Sequence, residues 1–337
     1  MFPSTAIFNT RIDDTSRFPA HPNSWNWINL VGGGTQFLAN WSPSSNANDL
    51  GGYYGIPYNV VDGTAATTDW PVVSFDYSTS GVSFEPGYPL KSDCAVASGD
   101  GFNIVRNCDQ VPSNQRRFPF PKYNVLSEGG NCGGPASCGV DRHVLVVEKG
   151  ACRLWESFFA HNVSGQWYAS STAAWDLRSN AMRPHDWSSA DAAGLPITPL
   201  LAKAAEANSG EIKHALRVTF SDPKLALAVS WPARFAAGGD NPGAIPFGSL
   251  LRLKANFVIP EHWSAHSKAV ATAAKRYGMY VADIGSDFYV QGEPSATWQE
   301  DTFRQLGTIP LSRMEFVDLK AVTSDPRFSN DSMQANW

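Results

Sequence analysis

Charge is scarce in this chain of 337 residues: Asp, Glu, Lys and Arg make up 17%, the formal net charge is -5, and no lysine- or arginine-rich run occurs. Nucleic-acid binders concentrate positive charge along one face or stretch, so nucleic acid is not an expected partner. No apolar run approaches the roughly 20 residues of a membrane span, so no membrane partner is expected either. The N-terminus lacks the basic-then-apolar layout of a signal peptide, and any export signal is expected to have been removed. The signatures of several enzyme classes are missing as well. There is no GxSxG elbow, no HExxH pair and no phosphate-binding loop, and Gly32 to Gly34 reads as a helix terminator. Serine hydrolases, zincins and nucleotide-dependent enzymes are disfavoured, and no cofactor is expected. No repeat of fixed period appears, which argues against propellers and solenoids.

Five cysteines are present, Cys94, Cys108, Cys132, Cys138 and Cys152, all within a Gly-, Ser-, Asn- and Pro-rich region. None stands in CxxC spacing, so metal coordination is disfavoured and local disulfides are the natural reading. Pairing in sequence order joins Cys94 to Cys108 and Cys132 to Cys138, with Cys152 left over, although four cysteines permit three connectivities. Asn40, Asn162 and Asn330 each begin a glycosylation triplet, which matters only in a eukaryotic source.

Residues 1–140 carry Gly, Pro, Asn and Ser between short apolar runs, the pattern of brief strands and long loops. From Val140 the periodicity sharpens. RHVLVVE and CRLWESFF read as two strands joined at Lys149-Gly150, and QWYASSTAAWDL as one or two more. Taken by twos, GEIKHALRVTF sets Ile212, His214, Leu216, Val218 and Phe220 opposite Glu211, Lys213, Arg217 and Thr219. LLRLKANFVI repeats this, with Arg252 and Lys254 on its polar side. Helices are expected in HPNSWNWINLV, LLAKAAEANSG, SAHSKAVATAAKRYG and QEDTFRQLG, each with a stop signal at glycine. The expected fold is mainly β: an antiparallel, jelly-roll-like β-sandwich with long loops and a few short helices. One elaborated domain spans 1–337, loop-rich and disulfide-stapled over 1–140, with the core sheets and helices over 141–320.

The blocks DRHVLVVE, LWESFFA, WDLRSNAMRPHDWSSADAAGLPI, GEIKHALRVT, RLKANF and KRYGMYVADIGS cover about half the chain. Together they resemble a family of secreted microbial proteins, largely uncharacterised. That resemblance implies an extracellular setting and a shared fold, and carries no catalytic assignment.

Chemistry is therefore read from the residues. Glycoside hydrolysis needs two carboxyl groups flanking a cleft, one held protonated and one ionised. Asp141, Glu156, Glu211 and Asp283 lie in or beside strands. Glu156 stands near Trp155 and Phe158, and Asp283 among Val281, Ala282 and Ile284, apolar settings that raise a carboxyl pKa. His143 and His214 fall on otherwise apolar faces, where each is either a core imidazole held by a partner or a general base. Twelve tryptophans exceed what a core demands, and flat rings suit sugar stacking; Trp175 and Trp298 are the candidates. Arg183, Lys213, Arg217, Arg252 and Lys254 would supply cationic donors. Three functions follow: a secreted glycoside hydrolase on a polysaccharide, a lyase on a uronate-containing glycan using His143 or His214 with Arg252 and Lys254, or a non-catalytic glycan-binding module.

Overall fold

The structure is a computed structural model that describes residues 1–81 and 87–337. Ten strands form its two larger sheets: β1 (Leu38–Asn40), β2 (Tyr58–Val61), β3 (Val144–Glu148), β4 (Arg153–Phe158), β5 (Ser171–Asp176), β6 (Leu216–Phe220), β7 (Leu250–Leu253), β8 (Met279–Ile284), β9 (Tyr289–Gln291) and β10 (Met314–Phe316). One sheet runs β1-β9-β6-β8-β7-β10 and the other β5-β4-β3-β2. The remaining strands pair in short ladders, such as the hairpin of Asp93–Ser98 with Gly101–Arg106. The architecture is mainly β, with long loops and few short helices, as the sequence leads one to expect. Strand direction is mixed in both sheets: β6 and β8 are parallel, as are β2 and β3, whereas β3, β4 and β5 form an antiparallel meander.

Period-two alternation explains how the sheets bury themselves. Val147, Leu154 and Trp175 stand side by side across β3, β4 and β5. They pack into the large core that also takes Leu216 and Val218 of β6. The opposite face offers Val146, Trp155 and Ala174 to Ala95, Phe118 and Phe120 of the loop-rich N-terminal part. The four-stranded sheet is thus covered on both sides, which is why its strands read as continuous apolar runs.

The helix signals hold where local chemistry suffices. Helix α1 (Ser24–Val31) stops at Gly32, whose φ is 109°. In α3 (Ala265–Arg276) the Ser264 hydroxyl accepts from the Ser267 N–H, an alanine and valine stripe is buried, and Lys275 and Arg276 sit at the C-terminal end. Gly278 follows with φ 78°, and a Cβ there would lie 2.8 Å from the Leu251 carbonyl oxygen, so both backbone and space require glycine. The helix expected from Leu200 onward does not form whole. A 3-10 turn covers Thr198–Leu200, and only α2 (Ala204–Asn208) is helical. Between them Ala202 pairs with the end of β9, its N–H donating to the Gln291 carbonyl at 3.1 Å. Tertiary pairing there outweighs helix propensity.

The cysteines pair in sequence order, Cys94 with Cys108 and Cys132 with Cys138, and Cys152 is free. Among the described residues no helix is long and apolar enough to cross a membrane.

Candidate functional site

One end of the four-stranded sheet meets the C-terminal end of β8, and between them opens a cleft of about 600 Å³. Asp141 and His143 reach it from the entry to β3, Phe158 and Ser171 from the connection of β4 to β5, and Asp283 from β8. The loop after β5 adds Ser188 to Ala192, and Tyr88, Lys91 and Phe235 close the rim.

A β-bulge places Asp283. Arg217 pairs with Tyr280 and Val218 with Val281, but Thr219 then pairs with Asp283, skipping Ala282. Unbroken alternation from Tyr280 would put Ala282 and Ile284 on the face that Arg217 occupies. The extra residue turns Asp283 to that face instead. There the Arg217 Nη2 lies 2.5 Å from Asp191 Oδ1 and 3.4 Å from Asp283 Oδ2. The two carboxylate oxygens are therefore no farther apart than the sum of those distances, about 5.9 Å.

Two acids share one guanidinium, and burial penalises every uncompensated charge. Burial is the main cause raising Asp283 above the usual carboxylate range; Arg217 opposes it and the Asp141 carboxylate adds to it. Asp191 is raised well above that range by burial, again opposed by Arg217 and reinforced by Asp283. Among the described residues the Asp191 Oδ2 meets no hydrogen-bond donor, which also favours the neutral form. The side chain of Asp191 is closed off from solvent, whereas Asp283 keeps 15% of its side-chain surface open toward the cleft. Asp141 is exposed, and among the described residues it has no ion-pair partner.

Of the residues singled out in the sequence, the cleft gathers Asp141, His143 and Asp283. The others lie elsewhere or beneath it. Glu156 is fully buried, and its carboxylate accepts from the N–H groups of Ile197 and Thr198 and from the Thr198 hydroxyl at 2.7 Å, which makes it the cap of the 3-10 turn. Glu211 is half-exposed and pairs with Arg276 at 2.9 Å and Lys213 at 3.4 Å, away from the cleft. His214 is buried between the Glu206 carboxylate and the Ala215 carbonyl. Arg217 is buried under the acids rather than offered to a ligand. Arg252 is buried as well, held by Glu315 and by the carbonyls of Ile12 and Phe18. Lys254 donates to the Ser312 carbonyl at 2.9 Å. Strands β6 and β7 are not neighbours, because β8 lies between them, so Arg217 and Arg252 do not form one polar surface.

Trp175 and Trp298 are core rings. Trp175 is 2% exposed and lies over Arg183; Trp298 packs on Trp41 and donates its N–H to the Glu293 carbonyl. Arg183 is buried and ion-paired with Asp93. Its guanidinium also donates to the Lys91 and Ser188 carbonyls, so it holds two segments of the cleft wall from behind. His266, in four-residue spacing with His262, is buried and bonds Asn208, and among the described residues no group of side chains could hold a metal.

Sequence reasoning passed over Asp191, Glu128, Lys91 and Phe235. Asp191 sits in SSADAAGLPI, a run with neither strand nor helix period, so its burial leaves no periodic signal. Comparison with protein-family models, with curated proteins and with solved structures finds no match.

Proposed function

We propose that the protein is a secreted carbohydrate-active enzyme, a glycoside hydrolase that cleaves a polysaccharide, with Asp283 as proton donor and Asp141 as the base. The observation that carries this reading is a pair of carboxyl groups bonded to one buried guanidinium, one of them open to a cleft. Burial holds Asp283 toward its protonated form against the pull of Arg217 and His143, which is the direction a general acid requires. Asp283 passes that proton to the glycosidic oxygen as the C–O bond breaks. Asp141, on the solvated side, takes a proton from the water that adds to the anomeric carbon. Tyr88, Phe158 and Phe235 offer flat apolar faces of the kind that stack on pyranose rings.

Three aspartates line the cleft, and half-buried Lys91 is the one lysine or arginine among its lining residues, of those described. The cations proposed for a lyase, Arg252 and Lys254, lie elsewhere, so support for a lyase is weaker. Extracellular placement draws on the two disulfides, which persist in oxidising compartments.

Incubation with a panel of polysaccharides and assay of new reducing ends tests the reading. Cleavage is expected without the absorbance of an unsaturated uronate. Binding without new ends would make the protein a glycan-binding module. The rate is expected to fall as pH rises through the raised Asp283 value, because the acid form is the active one. That falling limb should lie above the ordinary aspartate pKa of about 4.

Glu211→Gln is expected to leave cleavage unchanged and to shift stability by less than about 1 kcal/mol, as for solvent-screened ion pairs. Urea unfolding beside the same assay checks it. A tenfold loss of rate in a folded variant would return Glu211 to the reaction.

A further inference from the structure

His143 is surrounded in a way that its neighbours on the strand do not explain. Its ring is buried, with Nδ1 2.7 Å from Glu128 Oε2 and Nε2 2.8 Å from the Ala190 carbonyl oxygen. Both partners accept and neither donates. A neutral imidazole carries one N–H and one lone pair, so it would face one of these oxygens with a lone pair; only the imidazolium donates to both. A ring so occupied has no free nitrogen with which to abstract a proton, which removes it as a general base.

What it does hold is backbone. Its own chain leads back through Arg142 to Asp141, whose carbonyl accepts from the Phe159 N–H at 2.9 Å. Across the cleft, Ala190 immediately precedes Asp191, whose N–H donates to the Ser189 hydroxyl at 2.9 Å. Glu128 is fixed in turn, because Arg142 Nη1 donates to the Glu128 carbonyl at 2.8 Å and to that of Gly130, and the Cys132–Cys138 disulfide closes the loop that follows.

We infer that Glu128 and His143 are positioning residues, a charged clip that sets Asp141 on one wall of the cleft and Asp191 on the other. The kinetic half of its test rests on the hydrolase reading; the geometric half does not.

The charges around the ring set the pH at which the clip opens. Burial lowers the His143 pKa, but Glu128, then Asp141 and Asp283, raise it to about 9. Asp191 faces the same imidazolium from the loop after β5, and Arg217 of β6 acts on Glu128. A pKa raised above the ordinary 6.5 means that the clip contributes fully below about pH 6.5 and is lost as pH rises through about 9.

The test uses the full chain, uniformly 15N- and 13C-labelled, with Glu128→Gln and His143→Gln, their folding checked by thermal melting. Imidazole resonances identified by their absence in His143→Gln are expected to report a doubly protonated ring up to about pH 9. In Glu128→Gln that titration should move down to the ordinary histidine value of about 6.5. A neutral wild-type ring at pH 7 overturns the proposal. With a cleaved polysaccharide in hand, Glu128→Gln should lower kcat several-fold at pH 8, leave KM near wild type, and recover at pH 5.5, where its histidine is again charged. A loss equal at both pH values would mark a merely structural role and overturn the clip. If the wild type cleaves nothing, the Asp141 and Asp191 carboxyl titrations decide. Shifts in Glu128→Gln support the clip while the hydrolase reading fails alone, and unchanged titrations sink the clip.

Discussion

Asp283→Asn is expected to lower polysaccharide cleavage by about 10²- to 10⁴-fold, the range that general acid catalysis contributes, while the protein stays folded. Asparagine keeps the shape of the side chain and removes the transferable proton. The bulge at Val218 and Thr219 is a backbone feature, so the amide is delivered to the same place beside Arg217. Stability should change little. Burial holds Asp283 toward its neutral form in the native protein, and an amide is neutral already. The measurement is kcat for the variant on whichever polysaccharide the wild type cleaves, with urea unfolding alongside. A folded variant retaining more than a tenth of the wild-type rate would exclude Asp283 as the proton donor. Asp141→Asn provides the companion. Because Asp141 is exposed, its loss should act on the rate alone.

Arg217→Met should carry the largest stability penalty, about 3 to 5 kcal/mol near neutral pH, the usual consequence of removing one partner from a buried ion pair. Methionine fills much of the volume but leaves Asp191, fully closed from solvent, and Asp283 with no cation bonded to either. Glu156 also feels the Arg217 charge and would lose it. The pH dependence separates this cause from simple loss of packing. In the variant both aspartates should bind protons more tightly still. The native state then binds more protons than the unfolded chain between the ordinary aspartate pKa and the raised one, and stability falls as pH rises. The gap between variant and wild type should therefore be widest at pH 8 and shrink toward pH 4, read from urea midpoints across that range. A gap independent of pH would mean that Arg217 serves only to fill space.

Elements governed by neighbouring residues were legible in the chain. Helix α3 could be placed because Ser264, the alanine and valine stripe and Gly278 are each local signals. The antiparallel strands β3 and β4 were visible because both faces of their sheet are buried and the turn at Lys149 is short. Disulfide pairing followed sequence order because both bridges close short loops, with separations of 14 and 6 residues. Where a longer-range partner intervened, local reading failed. GEIKHALRVTF alternates across its length, yet only Leu216–Phe220 is strand, and its supposed polar face is a buried ion network.

The site itself shows the same division. His143 and Asp283 stood out because an ionisable residue within an apolar run is unusual, Asp141 because it adjoins a strand, and the cleft does bring the three together. Glu156 and His214 stood out by the same rule, but a 3-10 turn far along the chain caps one and Glu206 holds the other. A polar residue in an apolar run announces burial without saying who satisfies it.

The amino-acid order alone determined the mainly β character and the short helices with their caps and stops, since each depends on contacts within a few residues. Only the tertiary structure decided that Asp191 and Asp283 share Arg217, that a skipped residue in β8 aims Asp283 at the cleft, and that Glu128 keeps His143 charged. Those outcomes turn on strand register and on distances between segments dozens of residues apart, quantities that no local pattern encodes.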